Sequence, residues 1–173
     1  MGEETRDERF KWRDIAIRRI LVATDGSAQA FRALNEAIYI AALCDAQITL
    51  LMTVDLNEHV SAFEQVSMSG YVSAELKIAA YQFLADLMHV IPPEVPAHTR
   101  VESGDPADTI IDVAEQEESD LIVIGSRGMS SLKSFFMGNV SEQVLRRASC
   151  PVLVSKGMPD DWDTEADNNG FLP

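Results

Sequence analysis

The chain has 173 residues, enough for one domain whose core needs no disulfide or metal to hold it. Its 28 acidic against 14 basic side chains give a formal net charge of −14, which excludes a surface built for nucleic acid or an anionic membrane, because both need a basic face. No apolar run reaches the length of a membrane span and the charged residues 1–9 carry no signal-peptide core, so a cytoplasmic protein is expected.

Residues 1–17 form a mixed-charge leader containing Phe10 and Trp12, expected to be a loosely ordered extension. The domain proper is expected over residues 18–156. Its first element, Arg19-Ile20-Leu21-Val22-Ala23-Thr24-Asp25, is a strand-length apolar run of the kind buried on both faces. Asp25-Gly26-Ser27 then makes a turn and offers Ser27 as a helix cap. From Ala28 to about Leu43, Phe31, Leu34, Ile38, Ala41 and Ala42 recur at helical spacing. A second strand, Ile48 to Val54, ends at Asp55. Residues 56–69 lack periodicity and exceed the usual connection length, which leaves open a disordered crossing or a functional lid. Gly70 is expected to begin a helix whose stripe is Leu76, Ala80, Phe83, Leu84, Leu87 and Ile91, stopped by Pro92-Pro93.

The alternating Ala97 to Glu102 suits an edge strand. Asp105 and Pro106 then signal a helix start, as cap and first helical residue, with Ile110, Ile111 and Ala114 turned to the core. A central strand, Leu121 to Gly125, follows. A helix after Gly138 is expected to bury Val140, Val144, Leu145 and Ala148, and Pro151-Val152-Leu153-Val154 is a last strand at an edge. Residues 157–173 are acidic, polar and expected to be disordered. Cys44 and Cys150 read as buried free thiols, and His59, His89 and His98 lack ligand spacing. Strand and helix alternate four times before the fifth strand, which predicts an α/β doubly wound, Rossmann-like parallel sheet with helices on both faces.

The chemistry centres on Gly125-Ser126-Arg127-Gly128, nine further residues, then Gly138-Asn139-Val140-Ser141. A buried strand there ends in a glycine-hinged loop that returns to a helix start, where unpaired N–H groups and the positive end of the helix dipole can hold a phosphate. Gly128 is read as taking positive φ or letting a ligand approach the backbone. Plain architecture is an alternative, with Asn139 as N-cap and Glu142 completing a capping-box variant. Asp25 and Gly125 end the first and fourth strands, so both point into one crevice if those strands are neighbours.

Together with Val22-Ala23-Thr24-Asp25-Gly26-Ser27 and the run from Val140 to Val154, this loop resembles the universal stress protein family over about Arg19 to Lys156. The resemblance implies strand order 3-2-1-4-5, ATP as ligand and a homodimer through Val152, Leu153 and Val154. It places Ala23 and Thr53 against adenine and Asp25 at the ribose or at a Mg²⁺ on the phosphates. Thr24 and Ile124 join the nucleotide site beside these, while Gly125, Arg127 and Gly128 line the phosphate loop and Gly138, Asn139, Val140 and Ser141 meet phosphates at the helix start. Family members usually carry Ser or Thr at the position of Asn139.

No Gly-x4-Gly-Lys-Ser/Thr loop and no positioned base are visible, so no rapid hydrolysis and no catalytic residue are expected. With few basic residues, Arg127 and Lys133 among them, bound Mg²⁺ is expected to help hold ATP. The functions carried forward are a nucleotide-binding stress regulator, a slow ATPase or phosphotransferase using the same pocket, and a nucleotide-independent dimerising module.

Overall fold

The computed structural model describes residues 16–55, 62–128 and 138–156. Five strands run β1 (Arg19–Thr24), β2 (Gln47–Val54), β3 (Ala97–Ser103), β4 (Leu121–Gly125) and β5 (Val152–Ser155). Between them lie helices α1 (Ala28–Cys44), α2 (Ala62–Met88), α3 (Pro106–Gln116) and α4 (Asn139–Arg147). All pairings are parallel and the order is β3-β2-β1-β4-β5. The fold is thus the doubly wound α/β sheet expected from the alternation.

Side chains alternate between the faces of β1 because the strand period is two. Ile20 and Val22 enter a core with Leu34 of α1 and Leu84 of α2. Leu21 and Ala23 enter a second core with Ile110 of α3 and Val144 of α4. One apolar run therefore serves both cores, which is why β1 reads as continuously hydrophobic. The start of β1 is tied to β4 by Asp120, whose Oδ2 accepts from the backbone N–H groups of Arg18 and Arg19 at 2.9 Å each.

On the edge strand β3, His98, Arg100 and Glu102 alternate with core residues and form a polar row. Arg100 donates to Glu102 at 2.7 Å, Glu117 at 3.0 Å and Gln116 at 2.7 Å. Thr49 of β2 donates to Glu117 at 2.6 Å. The row ties β2 and β3 to the end of α3.

Several sequence expectations need correction. α2 already includes Gly70 and extends back to Ala62, so residues 62–69 are helix, while residues 56–61 lie outside the described set. Ile91 is buried but follows the helix. In α1 the buried stripe is Ala30, Ala33, Leu34, Ala37 and Ala41; Phe31 stands at the margin, edge-on to Phe83 at 6.3 Å between centroids, and Ala42 is exposed. Cys44 is exposed at the last position of α1, whereas Cys150 is half-buried; both are free. Leu145, expected inward, is exposed. The leader up to residue 15, the tail from residue 157 and Lys133 lie outside the described residues.

Candidate functional site

Strand order reverses between β1 and β4, since the chain winds from β1 toward β3 and then crosses back to β4 and β5. In sheets of this type the crevice beyond the carboxyl ends at such a reversal is open to a ligand. Ala23 pairs with Ile124, so Asp25 and Gly125 leave the sheet side by side.

At the end of β1 the chain turns sharply. Asp25 Oδ1 accepts from the Ser27 N–H at 3.0 Å, Gly26 takes φ of +83°, and Ser27 Oγ accepts from the Ala30 N–H at 3.2 Å to cap α1. Ser27 Oγ also stands 3.5 Å from the Arg127 carbonyl. With Oδ1 committed to the turn, Asp25 turns Oδ2 toward Gly128. A methyl group built on Gly128 would stand 2.5 Å from that oxygen. Gly128 is not in the left-handed region, so close approach and not backbone conformation calls for glycine there. Gly125 is likewise constrained by space: a Cβ would lie 3.0 Å from the Gln29 carbonyl carbon and 3.1 Å from the Ala30 nitrogen, where β4 meets the start of α1.

The Ser126 carbonyl joins the two described ends of the glycine loop. It accepts from the Gly138 N–H at 2.8 Å and from Ser141 Oγ at 3.0 Å. Ser141 Oγ also lies 3.0 Å from the Gly138 carbonyl. The Ser141 hydroxyl thus staples loop to helix, and its residue is buried. The helix begins directly after Gly138, as expected, and the alternative with Asn139 as its cap does not hold. Gly138, extended at φ −67° and ψ 152°, is the N-cap without a side-chain bond, and Asn139 is the first helical residue. Asn139 and Glu142 therefore do not form a capping box; Glu142 instead pairs loosely with Arg146 at 3.8 Å. Glu142 is the first residue whose N–H the helix satisfies, through the Gly138 carbonyl at 3.0 Å, leaving those of Asn139, Val140 and Ser141 without an intrahelical partner.

These elements enclose a cavity of about 780 Å³, within the range of small-molecule sites. All twelve residues singled out from the sequence line it: Ala23, Thr24, Asp25, Thr53, Ile124, Gly125, Arg127, Gly128, Gly138, Asn139, Val140 and Ser141. The sequence reading missed Ala30, Leu51, Met52, Asp55, Pro106 and Ile110, which also line it. Asp55 carried a usable signal, an aspartate directly after a buried strand as at Asp25; Leu51 and Ile110 did not, because they read only as core. Among the described lining residues Arg127 is the sole base, against two carboxylates, so the positive potential facing the cavity comes mainly from the helix start.

The family model of universal stress proteins matches residues 16–156. A universal stress protein of Methanocaldococcus jannaschii is 34% identical over 140 residues, covering 80% of this chain and 82% of its own length. The chain belongs to the universal stress protein family. Among solved structures, the universal stress protein UspA from Lactobacillus plantarum superposes with a TM-score of 0.69 at 30% identity, over 81% of this chain and 98% of that one. A universal stress protein solved in complex with cAMP matches with a TM-score of 0.55 at 25% identity, over 80% of this chain and 96% of that one. In this universal stress protein no helix of the described residues is long and apolar enough to cross a membrane.

Proposed function

We propose that this universal stress protein binds an adenine nucleotide, ATP in the first instance, in the β1/β4 crevice and serves as a nucleotide-responsive regulator. The carrying observation is the cradle itself: the Asp25 carboxylate and Gly128 packed so closely that a side chain at Gly128 would crowd it, and three backbone amides at the helix start without an intrahelical partner, on the same cavity. The apolar wall of Ala23, Leu51, Ile110 and Ile124 suits a flat base, with Thr53 at its rim. The cAMP-bound relative supports the ligand class.

Phosphate would be held by the amides of Asn139, Val140 and Ser141 and by Arg127. Among the described lining residues one base faces Asp25 and Asp55, which under-neutralises a triphosphate and favours Mg²⁺ as the accompanying cation, with Asp25 as its protein neighbour. The protein is proposed to act as a homodimer. β5 is an edge strand whose Val152, Leu153 and Val154 are only half-buried in the single chain, an arrangement that invites pairing with a second copy.

Calorimetric titration with ATP, with and without Mg²⁺, tests the reading when run beside a Gly128→Val variant. Saturable binding by the wild type that the variant loses, while retaining its fold, is the expected result. Equal binding by both would remove the crevice from consideration.

A further inference from the structure

Along α4, Asn139, Gln143 and Arg147 sit one above another at the spacing of four residues at which helical side chains meet. Arg147 Nη2 pairs with Asp108 Oδ1 of α3 at 2.7 Å. Its Nη1 donates to Gln143 Oε1 at 3.5 Å. Gln143 Nε2 in turn donates to Asn139 Oδ1 at 3.2 Å.

The polarity of this ladder is fixed from its far end. A guanidinium has donors and no acceptor, so the Gln143 atom facing Arg147 must be oxygen. That turns the Gln143 amide nitrogen toward Asn139, where only an oxygen can receive it. With its oxygen engaged by Gln143, the Asn139 carboxamide has its amide nitrogen left to face away from Gln143, and Asn139 is the first residue of the helix, beside the backbone amides that lack an intrahelical partner. Asn139 itself lines the cavity. Reversed, the same side chain would present carbonyl lone pairs to an anion.

We infer that Gln143, anchored by the Arg147–Asp108 pair, is a positioning residue that sets the Asn139 carboxamide to donate its N–H₂ to a phosphate of the bound nucleotide. The inference rests on the nucleotide reading and adds to it how an amide serves at this helix start: its orientation is imposed from the next turn. The recognised feature is phosphate, so adenosine gains nothing from the ladder while AMP and ATP do.

Gln143→Glu tests it. The substitution keeps the shape but makes the group acceptor-only, so it draws hydrogens from Arg147 and from Asn139 and turns the Asn139 oxygen to the phosphate. Calorimetry with ATP, AMP and adenosine is run on wild type, Gln143→Glu, Asn139→Ala and the double variant, with circular dichroism confirming the fold of each. The expected result is a loss of roughly tenfold or more in ATP and AMP affinity for Gln143→Glu, with adenosine unchanged. Added negative charge would weaken phosphate binding in any background. The decisive comparison is therefore that Gln143→Glu costs clearly less once Asn139 is alanine. A neutral Gln143→Met variant, lacking that charge, is expected to lose affinity for ATP by a few-fold and only when Asn139 is present. Equal losses in both backgrounds, or an equal loss for adenosine, would overturn the positioning role while leaving nucleotide binding intact. Absence of any nucleotide binding by the wild type would overturn both.

Discussion

Replacing Gly128 by alanine adds one methyl group and should be disproportionately costly. The new Cβ would stand 2.5 Å from Asp25 Oδ2 and 3.6 Å from its Cγ, the former well inside the roughly 3.5 Å at which non-bonded heavy atoms attract. The carboxylate must swing aside by about 1 Å, or the loop must lift by as much. Swinging weakens the 3.0 Å bond from the Ser27 N–H that shapes the turn into α1, at about 0.5–1.5 kcal/mol. An off-rotamer Asp25 costs about as much again. A total of about 1–3 kcal/mol corresponds to roughly 2–4 °C of Tm per kcal/mol for a domain of this size. Thermal unfolding of wild type, Gly128→Ala, Asp25→Ala and the double variant isolates the cause. With the carboxylate gone the methyl group loses the contact that crowds it, so the second substitution should cost little and the pair should couple by about 1 kcal/mol or more. Additive costs would refute the steric account of Gly128.

Gly125→Ala should push the start of α1 off β4, lowering stability by about 1–3 kcal/mol in urea unfolding, since its Cβ would lie 3.0 Å from the Gln29 backbone; an unchanged midpoint would contradict that packing. Leu84→Ala, at a fully buried position between α2 and the sheet, should cost about 2–5 kcal/mol by the same assay, and a cost within the surface range of about 0.5 kcal/mol would argue against its core placement. Burial raises the Cys150 thiol above its ordinary value, so less thiolate is present at pH 8. Alkylation followed by mass spectrometry should therefore modify exposed Cys44 first, and faster labelling of Cys150 would contradict its placement.

β1, β2 and β4 were legible as strands because they are largely buried and announce themselves as nearly unbroken apolar runs; their order came from the family resemblance, and with β1 beside β4 the convergence of Asp25 and Gly125 follows. Ser27 and Asp105 were legible as caps because their side chains do bond the N–H groups of Ala30 and Asp108. The start of α2 was not, since Gly70 punctuates a sequence whose helical state depends on more than local propensity. Whether Gly138 or Asn139 caps its helix was not legible because both Gly and Asn suit that role, and only the extended backbone of Gly138 decides between them. Cys44 looked buried from its apolar neighbours, but it falls on the exposed side of the last turn of α1. The extra lining residues of the cavity depend on which core side chains reach the sheet's carboxyl edge, a matter of register between α3 and β2.

The β1/β4 crevice is proposed to be where a nucleotide sits. Backbone amide chemical shifts recorded during titration with Mg-ATP measure that directly. Saturable shifts concentrated at Gly128, Asn139, Val140 and Ser141, with Ala23 and Thr53 following at the base end, are the predicted result. No saturable change at millimolar nucleotide, or changes confined to the α1 and β5 face, would contradict it.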